Sequence, residues 1–401
     1  MMNQPLEEQV KIIGARSVDF VSPEELHTKL AQAAAAGRPL RVKYGADPSA
    51  PDIHLGHVVG LNKLRECQDL GHTVVFIIGD FTAMIGDPSG KSKTRPQLSR
   101  EQVMANATSY QEQVFKVLDP DHTEVRFNSE WFATMPFEEV IRLSSHVTVA
   151  QMLQRDDFAK RYGENQPISL VEFLYPLVQA YDSVMVQADI ELGGTDQLFN
   201  LLLGRELQKV FKQPPQTVLT LPLLEGLDGV QKMSKSLGNY VGVAEPPQDQ
   251  FGKLMSVSDE LMWRYYELVL CASADEITAG RQRHPREAKD EMARRVVARF
   301  HGAAPATAAS QEFARVFSER AHPSDMPEWQ PDTTGHAIGL ITLLVQAGLA
   351  ESNGAARRLV MQGGVRLDDE RITDPRADIT LRDGQILRAG KRKFVRIRTG
   401  S

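Results

Sequence analysis

The stretch that decides the fold runs from Val42 to Asp80 and reads VKYGADPSAPDIHLGHVVGLNKLRECQDLGHTVVFIIGD. With the preceding PLR it opens on a short strand, and HVVGLNKLRECQDLG reads as a helix stopped by Gly71. HTVVFIIGD is a nearly continuous apolar run, the pattern of a strand buried on both faces of a parallel sheet. Strand, loop, helix and strand make a βαβ unit. The pattern returns downstream as ADIELGG, TDQLFNLLLGRELQKVF and TVLTLPLL, with a helical insertion between the two units at roughly residues 97 to 185. Upstream, SPEEL starts a helix: Ser22 is the N-cap, Pro23 the first turn and Glu25 the return half of a capping box. That helix is expected to end at Gly37. The fold class is α/β.

Composition bounds the rest. The chain has 401 residues, 42% of them hydrophobic, enough for more than one core. A net charge of -6 makes nucleic-acid contact a matter of local basic patches. Cys67 and Cys271 stand far apart, which argues against a disulfide framework or a zinc site and for a reducing compartment. The acidic, polar start MMNQPLEEQVK is not a signal peptide, and no apolar run is long enough for a membrane span, so a cytoplasmic protein with no membrane partner is expected. Four regions follow: 1–245 with the parallel sheet, 246–321 with helical periodicity, a proline-rich linker over 322–335, and a third domain at 336–401.

Chemistry concentrates in two short motifs. His54 and His57 stand at i and i+3 where a helix follows a strand, so their rings share a side. The unpaired amides of that helix start favour an anion, and Gly56 admits a bulky ligand to the backbone. Two histidines at a helix start also arise by chance. QKMSKSLGN, Gln231–Asn239, sets Lys232 and Lys235 among serines and glycines, a mobile loop suited to a triphosphate whose leaving group gains charge. Taken alone it could be a solvated basic turn; both motifs on one βαβ scaffold make a stronger case.

A third feature concerns selectivity. In SLVEFLYPLVQAYDSV, Tyr175, Gln179 and Asp182 fall at i, i+4 and i+7, one polar face on an apolar helix. Such a face holds a polar ligand in an apolar pocket, or else is a buried hydrogen-bond network. IGDPSGKSKTR, Ile85–Arg95, joins a turn to three cations after a buried strand, which suits polyphosphate. In GGTDQ, Thr195 is a candidate N-cap. At the far end, LLVQAGLAESNGAARRLVMQGGVRLD reads as helix, Ser352 N-cap, a helix bearing Arg357 and Arg358, turn and strand. Arg388, Lys391, Arg392, Lys393, Arg396 and Arg398 then occupy eleven positions without an acid, the footprint of a nucleic-acid backbone. The alternation in KFVRIR predicts a strand with one basic face.

These motifs resemble those of class I aminoacyl-tRNA synthetases, and the polar helix resembles that of the tyrosyl members. The resemblance implies a Rossmann-like catalytic domain with a parallel sheet, then an α-helical anticodon-arm domain, then a small α+β RNA-binding domain of the α-L type. It implies a tyrosine–tRNA ligase, which activates L-tyrosine with ATP and passes it to the 3' end of tRNA(Tyr). On this pattern His54, His57, Lys232, Lys235 and Ser236 are catalytic. Asp47, Ser49, Gly56, Lys91, Arg95, Asp196 and Lys235 meet ATP. Asp87, Tyr175, Gln179, Asp182 and Gln197 bind tyrosine, with Asp182 accepting from the phenol. Arg357, Arg358, Lys391, Arg392, Lys393, Arg396 and Arg398 bind tRNA. ATP is a substrate brought with Mg2+, no protein metal site or prosthetic group is expected, and the family is homodimeric through the catalytic-domain insertion. One departure stands out. Many bacterial tyrosyl enzymes have a tyrosine where this chain has Lys43, and Tyr44, one residue on, should face the other way. A tryptophan-activating enzyme, a nucleotidyltransferase and a synthetase-derived RNA-binding protein are the alternatives.

Overall fold

The computed structural model describes residues 4–48, 52–87, 99–317, 326–331, 337–368, 370–390 and 393–399, Arg100 by its backbone alone. Two compact units result, Met1–Ala309 and Ser310–Ser401. The regions expected as sheet domain and helical domain thus lie almost wholly within the first unit.

That unit is built on six strands, β1 (Asp19–Val21), β2 (Arg41–Ala46), β3 (Thr73–Ile78), β4 (Thr123–Phe127), β5 (Ile190–Gly194) and β6 (Thr217–Leu221), in the order β1-β6-β5-β2-β3-β4. All neighbours are parallel except β1, which runs antiparallel to β6. β3 and β6 are buried almost throughout, which is why both read as apolar runs. The connections leave β2 toward β3 on one side and toward β5 on the other, and the crevice at such a switch point is where α/β sheets bind ligands.

The insertion departs from expectation. TEVRF forms β4 and extends the sheet, although residues 97 to 185 read as helical. Every residue of this edge strand is only half-buried, so it carries no apolar run to betray it. The rest of the insertion is helical, ending in the helix Leu170–Met185. Val178 of that helix joins Val75, Ile77, Trp131 and Phe132 in one core cluster. Leu177, Ala180 and Val184 join Leu207 in another. Ser22 caps its helix as expected, accepting from Glu25 N, and Gly37 ends it at φ +64°. The capping box is not closed, because the Glu25 carboxylate turns instead to Arg205, 2.8 Å away. Thr195 begins a short 3-10 turn and does not cap the following helix, Leu198–Val210.

In the second unit, β7 (Glu328–Trp329), β9 (Val365–Leu367), β10 (Glu370–Ile372), β12 (Ile386–Ala389) and β13 (Lys393–Ile397) form a sheet ordered β10-β9-β12-β13-β7, while β8 (Ile338–Gly339) pairs with β11 (Asp378–Ile379). Helices Leu340–Gln346 and Asn353–Met361 close a core of Leu343, Leu344, Val360, Leu387 and Ile397. Ser352 is the N-cap, as its position suggested. β7 corrects the linker reading. Glu328 and Trp329 lie inside 322–335 yet add a parallel strand beside β13. The prolines around them masked a two-residue strand too short to show a period. Among the described residues no helix is long and apolar enough to cross a membrane.

Candidate active site

A cavity of about 560 Å³ opens at the carboxyl ends of the parallel strands. It is lined by thirteen of the candidate site residues singled out from sequence: Asp47, His54, Gly56, His57, Asp87, Tyr175, Gln179, Asp182, Asp196, Gln197, Lys232, Lys235 and Ser236. Ser49, Lys91 and Arg95 lie outside the described residues.

At one end, His54 occupies the N-cap of the helix Leu55–Asp69. Its backbone N–H donates to His57 Nδ1 at 3.2 Å, and the two rings stand 3.9 Å apart. In the neutral ring that bond leaves the His57 proton on Nε2, a donor. Burial, the neighbouring His57 and the Lys235 charge lower the His54 pKa to about 2. Burial and Lys235 lower that of His57 to about 4. Both rings are therefore neutral near pH 7 and able to donate a hydrogen bond without carrying a charge. His54 Nδ1 is buried without a hydrogen-bond partner among the described residues. Gly56 has its own reason here: a Cβ would come within 3.0 Å of the His54 ring.

The lysine loop is tied back to this helix start. Leu55 N donates to Val241 O at 2.9 Å, and Val243 N to Ile53 O at 2.9 Å. Met233 is buried, its N–H bonded to Leu224 O. Asn239 holds the loop from inside, accepting from Ser234 N at 2.8 Å and donating to Asp228 Oδ2 at 2.7 Å. Lys232 Nζ meets Asp196 Oδ2 at 2.7 Å. Lys235 Nζ donates to Asp52 O, and partial burial lowers its pKa. Ser236 Oγ lies 2.9 Å from Ser234 Oγ.

At the other end, the polar helix face meets a network drawn from every neighbouring strand end. Tyr175 OH donates to Asp47 Oδ2 at 2.9 Å, and Thr82 Oγ1 to Asp47 Oδ1 at 2.7 Å. Asn200 Nδ2 donates to Gln179 Oε1 at 2.8 Å and Gln197 Oε1 at 3.1 Å. Gln197 Nε2 donates in turn to Asp87 Oδ2 at 3.2 Å. Asp182 is buried and accepts from Trp131 Nε1 at 3.0 Å and Asn128 Nδ2 at 3.4 Å. Burial raises its pKa to about 7, against the pull of Lys43 and of these two donors. Asn200, Trp131, Asn128 and Thr82 carried no motif; only the folded contacts single them out.

The departure at Lys43 is resolved. Its side chain is 0% exposed and pairs with Glu191 Oε1 at 2.7 Å, behind the cavity wall. Tyr44, expected to face away from the ligand, lines the cavity instead. Its ring stacks on Phe76 and lies over Gly60, where a Cβ would come within 2.8 Å. Alternation held along β2; the assumption about which face meets the cavity did not.

In the second unit Arg357 and Arg358 are exposed on one helix, while Lys391 and Arg392 lie outside the described residues. Arg398 reaches Glu328 at 2.6 Å. The single basic face expected of β13 is not formed. Lys393 alternates with Arg396 and Arg398 onto the opposite face, its Nζ 3.4 Å from Leu349 O.

Comparison with known proteins shows the family. Residues 35–318 match the family described as tRNA synthetases class I (W and Y), and residues 319–397 match the tyrosine–tRNA ligase SYY-like C-terminal domain. The chain belongs to the class I tRNA synthetases of the W and Y group. A tyrosine–tRNA ligase of Oleidesulfovibrio alaskensis is 56% identical, with 98% of this chain and 99% of the relative covered. One from Moorella thermoacetica is 53% identical over 99% and 97%. Within that class, the activity is tyrosine–tRNA ligation. The fold also matches tyrosyl-tRNA synthetase from Archaeoglobus fulgidus, solved with L-tyrosine, at TM-score 0.63 and 23% identity over 77% of this chain and 100% of that one.

Proposed function

We propose that the two ends of the cavity divide the ligase reaction between amino acid and nucleotide. Tyrosine lies along the helix Leu170–Met185, its phenol donating to Asp182 and its ammonium held by Asp87, Tyr175, Gln179 and Gln197. ATP lies toward His54 and His57, with Asp47, Gly56 and Asp196 contributing contacts. The tyrosine carboxylate attacks the ATP α-phosphorus, pyrophosphate leaves, and a terminal ribose hydroxyl of tRNA(Tyr) then takes the acyl group and releases AMP. The neutral histidines donate hydrogen bonds to phosphate oxygens, and Lys232, Lys235 and Ser236 stabilise the departing pyrophosphate. Catalysis is then positioning and charge stabilisation, with no covalent enzyme intermediate. Mg2+ enters as part of the nucleotide substrate.

The observation that carries this reading is the joining of a donor pair and two lysines to a buried carboxylate within one cavity. On the same reading the helical region after residue 245 receives the anticodon arm in a cytoplasmic enzyme, and the basic residues of the second unit hold tRNA backbone. The insertion leaves Phe137, Ile141 and Leu170 exposed at 76%, 57% and 82%, surface suited to a homodimer contact. ATP–pyrophosphate exchange with tyrosine and phenylalanine tests the core of it. Asp182→Asn should cut the preference for tyrosine by about 10- to 100-fold, the value of one buried hydrogen bond to a charged group. An unchanged preference refutes the role given to Asp182.

A further inference from the structure

We propose that Lys43 is a positioning residue for tyrosine recognition, holding the Gln179–Ser183 turn and supplying the positive charge that keeps Asp182 an acceptor. The inference rests on the reading of Asp182 as the phenol acceptor. Lys43 does not touch substrate. Its ammonium has three protein partners: Gln179 O at 3.0 Å, Ser183 Oγ at 2.6 Å and Glu191 Oε1 at 2.7 Å. Three partners use all three N–H groups, so none is left for a ligand. Two of these partners, Gln179 and Ser183, bracket Asp182 on its own helix turn. The third belongs to β5, so the ion pair fastens the turn to two central strands of the sheet.

The pair is fully satisfied. Glu191 Oε2 accepts from Ser183 Oγ at 2.9 Å and from Gln216 Nε2. A buried ion pair contributes little net stability over apolar residues of the same volume, so stability alone does not explain its presence. Its place beside Asp182 does. The groups acting on that carboxylate are Trp131 and Asn128 from the segment after β4, Lys43 from β2 and Glu191 from β5. Lys43 and the two donors favour the carboxylate; Glu191 and burial favour the acid. A group that titrates about 7 changes its ionised fraction with every neighbouring charge. Lys43 and Glu191 therefore act with opposite signs.

That opposition is the test. The pH dependence of kcat/KM for tyrosine, read by pyrophosphate exchange from acidic to alkaline pH, should show an acidic limb in the native enzyme. Lys43→Met should move the limb up by about one pH unit, raising the tyrosine KM near neutrality about fivefold while the ATP KM stays unchanged. Glu191→Gln should move it down, and Lys43→Arg should leave it in place. The double variant Lys43→Met/Glu191→Gln leaves no unpaired buried charge and keeps the protein folded. Its limb should lie between those of the native enzyme and Lys43→Met. If the limb stays put in both Glu191→Gln and the double variant, Lys43 is structural only and the inference is overturned. Asp182→Asn separates the two ideas. Loss of the limb in that variant, with no movement in the Lys43 set, removes the inference alone. A limb that survives Asp182→Asn removes the reading of Asp182.

Discussion

The two ends of the cavity are built in opposite ways. The histidine and lysine end is made from two short, contiguous stretches whose charged groups sit at partly open positions and pair with Asp196 and Asp52. The Asp182 end is made from β2, β5, one long helix and the segment after β4, and its charges are buried and fully partnered. The difference follows from the ligands proposed for the two ends. A triphosphate is recognised by mobile cations and helix-start donors that gain strength as charge develops. A phenol hydroxyl is told from a bare ring only by a buried acceptor, which a phenyl ring would leave unpaired.

The largest expected break in this contrast is at the lysine loop. Lys235→Ala should lower kcat in pyrophosphate exchange by about 100-fold or more while leaving the tyrosine KM near its native value, the mark of an interaction made only in the transition state. A comparable rise in tyrosine KM would show that the two ends are not separable.

A smaller effect sharpens it through pH. Asp182 is raised to about 7, so the carboxylate proposed to accept the phenol is only partly ionised at neutrality. The kcat/KM for tyrosine should therefore fall roughly tenfold per pH unit well below that value. The ATP KM should follow no such limb, because His54 and His57 stay neutral down to about pH 4.

The smallest effect is on stability. Unfolded histidines take a proton near pH 6.5, whereas His57 in the fold resists until about 4. Below 6.5 the unfolded chain binds more protons, so this ring costs stability as pH falls toward 4. Asp182 works the other way over the same interval, since its folded carboxyl holds a proton that the unfolded one loses. Urea unfolding at several pH values should show a weaker loss on acidification in His57→Gln than in the native chain. Equal slopes would mean that burial at this helix start does not set the His57 charge.

The HLGH and KMSKS stretches were legible because their chemistry is local: a helix start, two cations and a glycine need no distant partner to be recognised. The polar face of Tyr175, Gln179 and Asp182 was legible for a similar reason, since helical period alone aligns it. β4 and β7 were not, because a half-buried edge strand and a two-residue strand carry no apolar period. Asn200 and Trp131 were invisible because their role exists only once other segments are folded against them.

Sequence by itself determined the parallel sheet, the order of its motifs and most of the candidate residues that face the cavity, because burial and backbone period act within a single segment. Tertiary structure decided what Lys43 and Tyr44 do. Which face of β2 meets the cavity depends on the helix packed against it, and whether a lysine lines that cavity or forms a buried ion pair depends on Glu191, a residue 148 positions away in sequence that only strand pairing brings alongside.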